Sequence, residues 1–211
     1  MKKRIFSKTM VLTSVLCLMP VIAYLAVWDR LPDPMPIHFD SAGTPDNYAP
    51  KLFAALGLPL ILLAANVLVN FMTEADPRSK SAGREVKALS KWLVPVISVL
   101  MNFTVLFLCL GWSVNISVVG YALLGILLII LGNYLPKSKR NYTIGIKLPW
   151  TLNSDENWNR THRLGGYVFI AAGALMVLNV FLNLWWLTLV LVAVCVAVPT
   201  VYSFLLYQKG I

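Results

Sequence analysis

The sequence predicts an all-α fold, an integral membrane bundle of six transmembrane helices with both the N and the C terminus cytoplasmic. Three observations predict it. Six apolar runs, at 9–28, 52–73, 92–112, 118–135, 167–184 and 185–208, contain no Lys, Arg, Asp, Glu or His. A run of about 18 or more apolar residues crosses a bilayer as a helix, because hydrocarbon offers no partner to an open backbone N–H or C=O. The basic residues are sorted: sixteen of the eighteen Lys and Arg lie before the first run, in 74–91, in 136–166 or after the last run, and only Arg30 and Lys51 lie on the other face. Basic segments beside helix ends stay cytoplasmic, and an even number of spans returns the chain to the side where it began. Composition agrees, with 58% hydrophobic and 13% charged residues and a mean hydropathy of +0.73, outside the range of soluble domains.

Each element follows from its residues. The first span, preceded by Lys2, Lys3, Arg4 and Lys8, has the form of an uncleaved signal anchor: it is too long for a cleaved signal and no A-x-A site follows it. The loop 29–51 lies outside, and the second span returns the chain. The inner connector 74–91, with Pro77, Ser79, Ser81 and Gly83, reads as a solvated segment with a short helix over 84–90. Tight turns at 113–117 and 184–185 make outward-closed hairpins of spans three and four and of spans five and six. Trp112, Trp185 and Trp186 mark the outer interface, where amphipathic rings prefer headgroup depth. The domain division expected from this layout is a two-helix membrane domain over 1–75, carrying the extracellular loop 29–51, and a four-helix membrane domain over 92–208, carrying the cytoplasmic loop 136–166.

Charge and polarity narrow the function. The net charge of +9 sits on juxtamembrane segments, where topology and contact with the lipid bilayer account for it without direct nucleic-acid binding. Cys17, Cys109 and Cys195 fall inside spans and read as small apolar packers, not as a disulfide or metal set. Ionisable groups inside the membrane mark ion and proton pathways, and the spans have none. Their polar residues are neutral: Asn66 with Asn70, Asn102, Asn133, Asn179 with Asn183, Thr104, Thr200 and Ser203. Residues four apart share a helix face, so the two Asn pairs form stripes suited to bonding between helices.

Two hydrophilic loops remain. In the outer one Pro32, Pro34 and Pro36 enforce an extended start, and residues 41–45 form a turn. His38 and Asp40 project to one side, with Asp46 and Tyr48 able to fold back. This set suits a structural His–Asp pair better than a metal, which needs further ligands. In the inner loop Asn153 followed by Glu156 has the spacing of a capping box, starting a short helix over 154–164 with Trp158 and His162 on one face and Glu156 in reach of Arg160. Trp150 and Trp158 then suggest a helix lying in the inner interface, with Gly165 and Gly166 loosening its join to the fifth span. Thr161 and His162 are adjacent and point about 100° apart on a helix, the wrong geometry for an activated nucleophile. No enzyme, cofactor or metal site is expected.

These loops also carry a resemblance. Pro36, His38, Phe39, Asp40, Gly43, Pro45 and Asp46 stand at the positions of the P-x-H-F/W-D-x-x-G-x-P-D pattern of a short membrane domain of unknown function (DUF1648). Asn141, Gly145, Pro149, Trp150, Thr151, Glu156, Trp158, Thr161, His162, Arg163 and Gly165 match the signature of the SdpI immunity-protein family, which this chain therefore resembles over nearly its whole length. Lys147 and Leu148 stand where the family commonly has Arg and Thr. The resemblance implies a six-helix protein of the bacterial cell membrane that protects its producer from a secreted membrane-active peptide toxin. It further implies signalling, by holding a small winged-helix autorepressor at the cytoplasmic face when toxin is present. On this basis the extracellular binding residues are Pro36, His38, Phe39, Asp40, Gly43 and Asp46. The cytoplasmic motif is Asn141, Gly145, Lys147, Pro149, Trp150, Thr151, Glu156, Trp158, Thr161, His162 and Arg163. A small transporter or flippase, or a structural partner of another membrane protein, is the alternative; the oligomeric state stays open.

Overall fold

The computed structural model describes residues 7–77 and 83–211. The basic start at Lys2, Lys3 and Arg4, and Arg78, Ser79, Lys80 and Ser81 of the inner connector, lie outside them. Among the described residues six helices are long and apolar enough to cross a membrane, so this is an all-α, multi-pass protein of the cell membrane. The chain divides into two compact units, Met1–Ala75 with Ala88–Ile116, and Asp76–Lys87 with Ser117–Ile211. The third helix thus clusters with the first two, where the sequence grouped it with the last three.

In the first unit, α1 (Lys8–Ala26) starts at Ser7, whose hydroxyl accepts the Met10 N–H at 3.1 Å. After a 3-10 turn at Trp28–Arg30 the outer loop forms a β-hairpin, β1 (Met35–Phe39) antiparallel to β2 (Pro45–Ala49). A π-helical turn, Phe53–Gly57, leads into α2 (Leu58–Ala75). The base of the hairpin is held by Leu31 and Met35, buried with Tyr24, Ala54, Ala55 and Leu106. That burial makes the hairpin a fixed part of the unit. The segment 84–90, expected as a separate short helix, is the first turns of α3 (Arg84–Cys109); no helix breaker separates it from the span. The Asn66/Asn70 stripe does bond across helices: both amides reach the hydroxyl of Thr13, at 3.2 and 3.4 Å. Tyr24 donates to the carbonyl of Asn102 at 2.8 Å. Lys91 and Glu74 form an ion pair beneath the spans.

The second unit contains α4 (Ile116–Tyr134, from Ser117 on), the one-and-a-half-turn α5 (Pro149–Asn153), α6 (Asp155–Leu182) and α7 (Trp185–Gln208). Glycines set the approach of α4 to α6. A Cβ on Gly125 would lie 2.8 Å from the Gly173 carbonyl, and one on Gly132 would lie 2.7 Å from the Gly166 carbonyl. The two contacts are seven residues apart on each helix and run in opposite directions, which defines an antiparallel crossing backbone against backbone. A core of Tyr121, Leu128, Ala172, Met176, Leu191 and Cys195 fills the remaining space between the helices.

Several expectations change here. Residues 154–164 are not a separate interfacial helix but the first turns of the 28-residue α6. Gly165 and Gly166 do not loosen a joint; both are buried, and Gly166 packs where a Cβ would strike Pro136 at 2.8 Å. The cap is Ser154, whose hydroxyl accepts the Asn157 N–H at 3.1 Å, not Asn153. The Asn179/Asn183 pair is no interhelical stripe: Asn179 both accepts from the Leu184 N–H at 2.9 Å and donates to its carbonyl, while Asn183 takes the left-handed cap position with φ 51°. Asn is tolerated there because its short polar side chain bonds locally. Asn133 is exposed.

Candidate functional site

The motif expected on the cytoplasmic side is a loop folded onto the start of α6 and secured from inside. Trp158 has no exposed surface; its indole N–H donates to the Ser138 carbonyl at 2.6 Å, and its ring stacks on His162 with centroids 4.0 Å apart. This is why Trp158 cannot be the interfacial residue its neighbours in sequence suggested. Nε2 of His162 accepts the Ile146 N–H at 2.9 Å, so the ring proton sits on Nδ1, which faces the Trp158 carbonyl at 2.8 Å. Both ring nitrogens are committed, and the imidazole is neutral in this arrangement.

Gly145 lies against that stack. With φ +123°, a side chain there is strained, and a Cβ would fall on His162 Nε2 and lie 3.0 Å from the Trp158 ring. Glycine is required for the loop to approach so closely. The loop itself is organised by Asn141, fully buried. Its amide donates to Ser138 Oγ and the carbonyls of Lys139 and Ile144 at 2.9–3.1 Å. Its oxygen accepts the N–H groups of Thr143 and Ile144 at 2.9 and 2.7 Å. Buried backbone polar groups need such partners where no ladder supplies them.

The second half of the motif joins the loop to α7. Pro149 opens α5 at a position that needs no N–H. Thr151 accepts the Leu148 N–H at 2.9 Å and lies 2.9 Å from the Ile146 carbonyl. Trp150 donates to Ser203 Oγ at 2.7 Å and packs against Phe204 and Tyr207. Thr161 donates to Asn157 Oδ1 at 3.1 Å, and Asn157 Nδ2 reaches the Ser203 carbonyl at 2.9 Å. A cleft of about 440 Å³ opens beside Trp150, lined by Pro149, Asn153, Ser154, Tyr207, Gly210 and Ile211. Glu156 pairs with Arg160 at 2.5 Å, as the spacing predicts. Lys147 reaches the carbonyl of Thr143 at 3.1 Å and is exposed, as is Arg163.

In the outer hairpin His38 pairs with Asp46, Nδ1 to Oδ1 at 2.6 Å, rather than with Asp40. Asp40 is spent on the turn: Oδ1 accepts the N–H groups of Ala42 and Thr44 at 2.9 and 2.8 Å, and Gly43 supplies the left-handed residue with φ +83°. Alternation along a strand put His38 and Asp40 on one side, but the hairpin brings Asp46 across and the turn claims Asp40. Pro36 is buried, Phe39 half-buried, and the His38 side chain is 68% exposed.

Sequence reasoning missed Asp76, Ser138 and Asn157. Asp76 is 5% exposed and accepts from the Tyr142 N–H at 3.0 Å and the Thr143 hydroxyl at 2.8 Å. Nothing in the connector's polar composition marks it, because its partners are 66 and 67 residues away. Arg140 likewise braces the motif, binding Asp155 at 2.6 Å and the Leu152 carbonyl at 2.8 Å.

Fold and motif together define a multi-pass membrane protein whose cytoplasmic signature is built into its last helices. Residues 137–203 match the SdpI/YfhL protein family, and residues 15–63 match the domain of unknown function DUF1648. Over residues 137–203 the chain is similar to the SdpI family. It is similar to the immunity protein SdpI of Bacillus subtilis (strain 168), at 26% identity over 212 residues that cover 99% of this chain and 98% of that one. No solved structure matches it.

Proposed function

We propose that this protein confers immunity to, or senses, a membrane-active antimicrobial peptide. The observation that carries this reading is the end-to-end similarity to an immunity protein, which includes both patterned loops. Spans free of ionisable residues favour capture over ion-coupled transport. In this reading the peptide is met at the outer hairpin, where His38, Phe39 and Asp46 leave surface free while Asp40, Gly43 and Pro36 hold the shape. The cytoplasmic motif holds a small winged-helix repressor, with the cleft beside Trp150 and the exposed Lys147 as its contact. Where Lys147 replaces the arginine common in the family, the contact is a point charge instead of a planar fork. Coupling requires that peptide binding outside and repressor binding inside alter each other's affinity by the same factor.

The test is expression in a Bacillus subtilis strain lacking its own SdpI, challenged with supernatant of the wild-type strain. Restored survival is expected, reduced by His38→Ala. Survival equal to that of the empty vector overturns the immunity reading. Failure of a tagged chain to retain a co-expressed winged-helix repressor in the presence of peptide removes the sensing arm alone.

A further inference from the structure

Helix α6 is longer than a bilayer requires. Its 28 residues rise about 42 Å, against a hydrocarbon thickness of about 30 Å, which some 20 residues cross. Its outer end is fixed: Asn183 caps it and Phe181 is 84% exposed. Counting about 20 residues back from Leu182 puts the inner edge of the hydrocarbon at Arg163. The first two turns of α6 therefore stand in the headgroup layer and the cytoplasm.

One face of α6 carries exposed residues from its start to its outer end. Leu178 and Phe181 are exposed on it, Tyr167 is 62% exposed, and Ile170, at the edge of the α4 contact, is 37% exposed. These follow Arg163 at helical spacing. Arg160 lies one turn below on the same face, held by Glu156. Arg163 is exposed and, among the described residues, takes part in no salt bridge. Most other signature residues on this unit have an internal contact. Arg163 is thus a guanidinium at the hydrocarbon edge with its donors open, below a tyrosine at the depth favoured by interfacial aromatics.

We infer that Arg163, with Arg160 and the hydroxyl of Tyr167, forms a site for the phosphate of an anionic lipid in the inner leaflet. A guanidinium presents paired N–H donors that match two phosphate oxygens. Arg160 adds a second cation, partly offset by Glu156. The same face continues without a break into apolar side chains, so an occupant held at Arg163 by its head lays its chains along Tyr167, Ile170 and Leu178. A lipid has that shape; a soluble acidic protein does not. The site stands apart from the Trp150 cleft and does not depend on the immunity reading.

The full chain, purified in detergent and titrated with phosphatidylglycerol or phosphatidylcholine, is followed by native mass spectrometry. Phosphatidylglycerol is expected to be retained in preference. R163Q weakens it about five-fold, the loss expected for one cation at an anionic surface, and R160Q/R163Q about ten-fold, because Glu156 offsets part of the second cation. R163K, which keeps the charge but loses the paired donors, weakens binding less than R163Q does, and Lys209→Gln, just past α7, leaves it unchanged. Because these side chains are exposed, the variants should keep the wild-type unfolding midpoint, which is measured alongside. Equal retention of the two lipids, or undiminished phosphatidylglycerol binding by R160Q/R163Q, overturns the site. Displacement of phosphatidylglycerol by equimolar inorganic phosphate overturns the lipid as its ligand and makes it a free-phosphate site.

Discussion

Replacing Asn141 by leucine tests whether the cytoplasmic motif is held by one buried amide. The two side chains are similar in size, so the change removes hydrogen bonds with little loss of packing. Four backbone groups lose their partner: the carbonyls of Lys139 and Ile144 and the N–H groups of Thr143 and Ile144. A buried polar group left open costs about 1–3 kcal/mol. Water entering from the cytoplasmic side can satisfy roughly half of them, so the loop is destabilised by about 3 kcal/mol. Local opening then becomes about a hundred-fold more frequent. Amide hydrogen exchange on the full chain in nanodiscs reads this directly at Thr143 and Ile144, while amides in the middle of α6 should keep wild-type protection. Exchange at Thr143 and Ile144 unchanged beyond replicate scatter would refute the claim that Asn141 organises the loop.

Gly145→Ala should unstack Trp158 from His162, because the new methyl competes with the ring for one position; a red-shifted tryptophan emission and a lowered unfolding midpoint check it. Gly132→Ala should destabilise the second unit by about 1–3 kcal/mol, since its methyl meets the backbone of Gly166 and Ile170 as well as the Ile170 side chain; SDS titration of the helical signal measures this. His38→Ala and Asp46→Ala should each shift stability by less than about 1 kcal/mol, as expected for an exposed pair, so any loss of protection they cause reports contact outside and not unfolding. Cysteines placed at 38 and 147 should react with a membrane-impermeant maleimide from opposite sides of intact cells.

What could be read from the residues alone was whatever depends on local composition. Six spans and their orientation follow from uncharged runs and from the placement of basic residues, because backbone satisfaction in lipid and charge retention act on short segments. The Glu156–Arg160 pair and the shared face of Trp158 and His162 were legible for the same reason, since helical spacing fixes both. What lay beyond reach was where each polar residue would find its partner. Asp76 looked like solvated linker until the loop at 142–143 was laid on it, and whether His38 would pair with Asp40 or Asp46 stayed open until the hairpin brought Asp46 to it. The start of α6 read as an interfacial helix because two tryptophans beside basic residues have that composition. Only the tertiary structure shows Ser138, Ile146 and Gly145 closing over Trp158 and His162. Sequence set which segments enter the membrane, because transfer to hydrocarbon is nearly additive along the chain. The site was decided by tertiary structure, because hydrogen bonds between residues distant in sequence form only once packing has brought their donors and acceptors together and excluded water from them.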